Sequence, residues 1–157
     1  MTILKLMRQS RVFVGHSAYT LSLIGILLLV WCPVVRADNV IVVASESVET
    51  HSLTRSQLRQ IFTGHLQYWE DGKKIHVFVL EDENGLHKTF CRETLQMFPY
   101  QLSRLWDQLT YSGQGVTPTR AESQAKLIEM VESTSGAIGY VTSGKIIKGH
   151  QLEVRER

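Results

Sequence analysis

The sequence predicts an α/β domain in which a mainly parallel sheet is flanked by helices, with elements in the order β-α-β-α-α-α-β. Three observations carry this. Val40 to Ala44 (VIVVA) and Ile75 to Leu80 (IHVFVL) are short apolar runs rich in β-branched residues, the pattern of strands covered on both faces. Between and after them come segments with apolar residues at helical spacing, bounded by caps and glycines. Strands alternating with helices need crossover connections, and these favour parallel pairing.

Met1 to Ala37 has the layout of an export signal. Lys5, Arg8 and Arg11 make a basic start, no charged residue occurs from Val12 to Val35, and Leu21 to Val30 is an apolar block. Val35-Arg36-Ala37 fits a signal-peptidase site, which predicts cleavage after Ala37 and a product that works in the periplasm. An uncleaved anchor competes with this reading, because the uncharged stretch exceeds the roughly 20 residues that cross a bilayer. A lipoprotein needs small residues before Cys32, where Trp31 stands.

Removal of this segment takes away Lys5, Arg8, Arg11 and Arg36 and no acid. The net charge of +2 becomes 13 Lys and Arg against 15 Asp and Glu, a net of −2. No basic run with interleaved aromatics remains to suggest nucleic acid, and no nucleic-acid partner is expected. Asp38 to Arg157 is long enough for one domain with one core. Cys91 is then the only cysteine, so no internal disulfide can form, and its place in an apolar helical pattern reads as packing before nucleophile.

After the first strand, Ser45 to Ser52 is a polar connection. Thr54 and Gln57 form a capping box, with Leu53 set to staple against Leu58, for a helix that buries Leu58, Ile61 and Phe62 and stops at Gly64. Tyr68-Trp69 runs into a turn at Glu70 to Lys73. After the second strand, Glu81 to Gly85 opens a helix from about Leu86 to Met97, and Pro99 starts another with Leu102, Leu105, Trp106 and Leu109 at helical spacing. Thr119 and Glu122 suggest a capping box for a helix reaching about Glu132. Gly136 to Val141 returns as a strand, and Leu152 to Val154 suits an edge strand.

In such sheets ligands bind at the edge where the strands end. Glu81-Asp82-Glu83-Asn84-Gly85 leaves a strand and enters a helix whose first N–H groups are free for an anion. Gly85 would let a ligand approach the backbone, and His87 and Lys88 would add positive charge. The alternative is that the three acids simply favour a helix N-terminus through its dipole. Ser112-Gly113-Gln114-Gly115 is a second candidate nest of backbone donors or an ordinary turn. Ser45 and Ser47 either offer hydroxyls to a ligand or satisfy loop backbone. The chain has no HExxH, CxxC, GxSxG or Walker pattern, so neither catalysis, a metal nor a cofactor is expected.

Two motifs carry a family resemblance. Leu53 to Trp69, LTRSQLRQIFTGHLQYW, resembles the L-x-x-x-x-L-x-x-I-F-x-G-x-x-x-x-W segment of phosphate-binding proteins of ABC transporters, and Gly136 to Val141 resembles their GAIGYV strand. The similarity runs in register over nearly all of Val40 to Val141. It implies a single periplasmic-binding-protein-like lobe, one half of a receptor that closes two lobes over its ligand. The family carries phosphate on an R-x-D-G-S-G-T loop. Here Asp82 matches the Asp, Asn84 stands for the Ser and Gly85 matches the Gly, while Leu80 replaces the Arg and Leu86 replaces the Thr.

The resemblance implies a non-catalytic periplasmic protein that binds a small oxyanion such as phosphate for uptake or sensing, alongside a membrane permease or sensor. Its ligand-binding residues would be Asp82, Asn84, Gly85, Leu86 and Ser45. The alternative is an interaction module that has lost its ligand and docks on a membrane sensor, a transporter or a second lobe. Leu80 and Leu86 favour the second, whereas Asp82, Asn84 and Gly85 favour the first.

Overall fold

A computed structural model of the chain describes residues 39–115, 117–145 and 147–156. The expected export signal, Met1 to Ala37, lies outside the described residues. Elsewhere the chain forms β1 (Val40–Ala44), β2 (Ser52–Thr54), α1 (Arg55–Phe62), β3 (His76–Leu80), α2 (Gly85–Thr89), a π-helical turn (Phe90–Leu95), α3 (Pro99–Tyr111), β4 (Thr119–Ala121), α4 (Gln124–Ser133), β5 (Ala137–Thr142) and β6 (His150–Arg155). Among the described residues no helix is long and apolar enough to cross a membrane.

The strands form one six-stranded sheet in the order β2-β6-β1-β5-β3-β4. β2 pairs in parallel with β6, and β3 pairs in parallel with both β4 and β5. β1 is antiparallel to both its neighbours, β5 and β6. Five strands therefore end at one edge of the sheet and β1 alone ends at the other. α1, α2 and α4, which follow β2, β3 and β4, all start at the five-strand edge.

The mainly parallel α/β prediction is met, with corrections to its elements. β2 and β4 are short strands that sequence patterning passes over. Thr119, expected as a helix cap, lies in β4, and the cap is Ser123, whose Oγ accepts from Lys126 N–H. Thr119 is claimed by the sheet because β4 supplies partners to the last residues of β3, from Phe78↔Thr119 to Leu80↔Ala121. β6, expected at an edge, is interior because β2 covers its outer side.

The helix expected over Leu86 to Met97 is α2 continued by the π-helical turn. Phe90, Cys91 and Leu95 are all fully buried. In an α-helix five residues overshoot a 3.6-residue turn, which would swing Leu95 away from Phe90; the wider turn keeps all three on the core. Gln96, at φ 54, ends it.

Packing at the sheet centre depends on a glycine. A Cβ on Gly139 of β5 would stand 2.8 Å from Leu127 Cδ2 and 3.1 Å from Val131 Cγ2, so the missing side chain lets α4 lie directly on the strand. On the sheet lies an aromatic cluster, Phe90 stacked on Tyr140 at 3.9 Å and Phe62 edge-on to Phe90 at 4.8 Å. Trp106 fastens α3 to α1 by donating its indole N–H to the Phe62 carbonyl at 2.7 Å.

Candidate functional site

The loop that leaves β3 lies at the five-strand edge and is built by its own side chains. Asn84 is the N-cap of α2, its Oδ1 accepting from Leu86 N–H at 2.9 Å. Asn84 N–H in turn donates to the Glu81 carbonyl at 2.9 Å, which closes the turn. A Cβ on Gly85 would meet no atom within 4 Å, so the space over the first residue of α2 is open.

Asp82 is the hub. Ser103 Oγ of α3 donates to its Oδ2 at 2.9 Å, and Arg120 Nη2 reaches Oδ1 and Oδ2 at 3.2 and 3.3 Å. Both charged side chains stay about one third exposed, Asp82 at 39% and Arg120 at 34%. The parallel pairing of β4 with the end of β3 brings Arg120 there, and its guanidinium also stands 5.5 Å from the Trp106 ring centroid. The sequence departs from the family loop by placing Leu at position 80, and Leu80 is buried in the core. The guanidinium comes instead from the neighbouring strand.

Each acid of the loop has a cationic neighbour. Glu81 Oε2 lies 3.9 Å from Arg120 Nε, and Glu83 pairs with Lys88 at 2.8 Å. Two cations therefore offset three carboxylates. Anion recognition here would rest on aimed N–H donors, with little help from net charge.

His87 corrects an expectation. Read from sequence as a positive charge, it is fully buried, and burial lowers its pKa against the pull of the Asp82 carboxylate, with Arg120 adding to the lowering. It is neutral near pH 7. Leu80 N–H donates to Tyr140 Oη at 2.9 Å, and Tyr140 Oη lies 2.6 Å from His87 Nδ1. A phenol that accepts from Leu80 and donates to Nδ1 leaves the His87 proton on Nε2. That nitrogen faces Asp82 Oδ1 at 3.8 Å and Cys91 Sγ at 3.5 Å. Burial raises the phenol pKa of Tyr140 and pushes the Cys91 thiol up to about 12, so the cluster under the loop is a neutral structural support and Cys91 is packing, as expected.

Of the five residues expected to bind ligand, Asp82, Asn84, Gly85 and Leu86 share one loop and helix start, and Ser45 does not join them. Ser45 follows β1, the one strand that runs against the others, and so lies at the opposite edge. Its N–H donates to the Ala137 carbonyl and its Oγ accepts from Ala137 N–H at 3.2 Å, while Ser47 Oγ accepts from Gly136 N–H at 2.9 Å. Both serines satisfy loop backbone. The second candidate nest is likewise spent, because Ser112, Gly113 and Gln114 N–H groups donate to carbonyls in the last turn of α3. Among the described residues no cluster of three metal-ligating side chains occurs. Sequence reasoning missed Arg120 and Ser103, whose placement depends on the unforeseen β4 and on the facing of α3.

The family model of the PBP superfamily domain matches residues 22–154. The chain belongs to this family. No curated protein matches the sequence. Among solved structures, an ABC-type phosphate transport receptor from Vibrio cholerae is similar at 18% identity and a TM-score of 0.56, over 74% of this chain and 46% of that one. A substrate-binding protein from Clostridium perfringens, assigned to phosphate ABC transport and solved with phosphate bound, is similar at 19% identity and a TM-score of 0.61, over 74% and 45%. A phosphate-binding protein from Stenotrophomonas maltophilia gives 15% identity and a TM-score of 0.52, over 75% and 39%. This PBP-superfamily chain thus shares the fold of such receptors while spanning less than half their length.

Proposed function

We propose that the chain is a non-catalytic solute-binding lobe, exported to the periplasm, that takes a small oxyanion such as phosphate at the loop leaving β3. The donors would be the Arg120 guanidinium and the backbone N–H of Gly85, with Asn84 shaping the helix start and Leu86 walling one side. Asp82 would hold Arg120 and Ser103 in place and accept a proton from a protonated oxyanion. The observation that carries this reading is the Asp82–Arg120–Ser103 constellation, at 2.9 to 3.3 Å, around the same loop on which the resemblance puts phosphate. The names of the similar solved structures support the choice of oxyanion. A membrane permease or sensor would read the loaded lobe.

A second reading is that this edge docks on another lobe, a sensor or a transporter without ligand. It is favoured by the open space over Gly85 and by the three carboxylates against two cations. Calorimetry on the exported protein separates the two. The solute-binding reading expects phosphate or sulfate to titrate with a Kd of about 1 mM or tighter, weak because the site is unenclosed, and Asp82→Ala to abolish the heat. Absence of binding by either anion at tens of millimolar overturns it and leaves the docking reading.

A further inference from the structure

Among the described residues the outer face of α3 is unpartnered, and it has an internal symmetry. Tyr100, Arg104, Asp107 and Tyr111 fall within one narrow stripe at a 3.6-residue repeat, opposite the buried Leu102 and Trp106. Tyr100 is 68% exposed and Tyr111 is 91% exposed, and Phe98 stacks beside Tyr100 at 5.8 Å. Among the described residues the side chains of Arg104 and Asp107 make no hydrogen bond or ion pair. The stripe is symmetric in sequence about the midpoint between Leu105 and Trp106: Arg104 and Asp107 are equidistant from it, as are Tyr100 and Tyr111.

We propose that this face pairs with a second copy of the chain across a two-fold axis that runs between the two α3 helices, level with that midpoint, the helices lying antiparallel. A two-fold contact brings residue i against j and j against i. In this register each Arg104 meets the other copy's Asp107, twice, and each Tyr100 meets the other copy's Tyr111, twice. The charges select the register. Centring the axis on position 104 sets two arginines together, and centring it on position 107 sets two aspartates together, so one register satisfies both charges and both aromatic ends. The composition suits an interface, where tyrosine and arginine are enriched and lysine is depleted. One helix face is small beside the roughly 1,600 Å² of a standard interface, so the dimer is a weak one, with a Kd of about 10 μM or more.

Sedimentation equilibrium of the exported protein over a wide concentration range tests this. The wild type should pass from monomer to dimer. Arg104→Asp and Asp107→Arg, each alone, should weaken self-association by about tenfold or more through two like-charge contacts. An equimolar mixture of the two single variants should associate again, because each mixed contact restores opposite charges, and the Arg104→Asp, Asp107→Arg double variant should self-associate like the wild type. A wild type that stays monomeric to about 500 μM, or a dimer indifferent to both reversals, overturns the proposal. These surface charges are remote from the core, so folding is not at stake.

Discussion

The indole N–H of Trp69 donates to the Gly136 carbonyl at 3.0 Å, so the last residue of one family motif holds the first residue of the other. Sixty-seven residues separate them. Gly136 N–H is held from the other side by Ser47 Oγ, and His76 N–H shares the Gly136 carbonyl at 3.2 Å. The turn into β5 is thus locked by three separate segments. Trp69→Phe should cost about 1–2 kcal/mol in urea unfolding, the value of one buried hydrogen bond.

Gly136→Ala should cost more than Trp69→Phe. Gly136 sits at φ +74, and a Cβ there would lie 2.3 Å from the Lys74 carbonyl oxygen, a backbone atom that cannot step aside. Gly139→Ala faces flexible side chains, Leu127 and Val131, and should cost about 1–3 kcal/mol. Unfolding midpoints that order the two alanine variants the other way would contradict this packing.

Stability should also fall with acid because of His87. Its folded pKa lies below the unfolded 6.5, so between the two values the unfolded chain binds more protons and stability rises with pH. The contribution is complete above about pH 6.5 and is lost as pH falls from there through the lower folded value. Urea midpoints measured from pH 8 to pH 5 should show this slope, and His87→Gln should flatten the part near pH 6.5. Tyr140→Phe strands Leu80 N–H and His87 Nδ1 together and should cost about 1–3 kcal/mol at pH 7.

Cys91 should resist thiol reagents in the folded protein. It is fully buried and its thiol is pushed up to about 12, so almost no thiolate exists near pH 7. Reaction with a disulfide reagent should track global unfolding in urea, and fast native labelling would contradict the burial.

Much of this architecture was legible in the sequence where pattern and local chemistry agree. The Thr54 capping box and the Gly64 stop act within a few residues, and both stand as expected. The two apolar strands were readable because both their faces are covered. β2 and β4, three residues each, have too little length for a pattern and owe their state to partners far along the chain. The site divides in the same way. Asp82, Asn84 and Gly85 sit on one loop and were visible, whereas Arg120 arrives through the β3–β4 pairing 38 residues on. Ser45 was misplaced because the direction of β1 is set by pairing with β5 and β6, which composition does not encode. His87 was misread because one residue's burial depends on how α2 lies against Tyr140.

The most direct test of the oxyanion site is an amide NMR titration of the protein with phosphate, compared with Arg120→Gln. The proposed site predicts saturable shifts centred on Gly85, Leu86, Ser103 and the Arg120 side chain, with sulfate competing and Arg120→Gln losing them at least tenfold in affinity, as for one charged hydrogen-bonding partner. Shifts elsewhere in the domain, or none up to tens of millimolar phosphate, would contradict it.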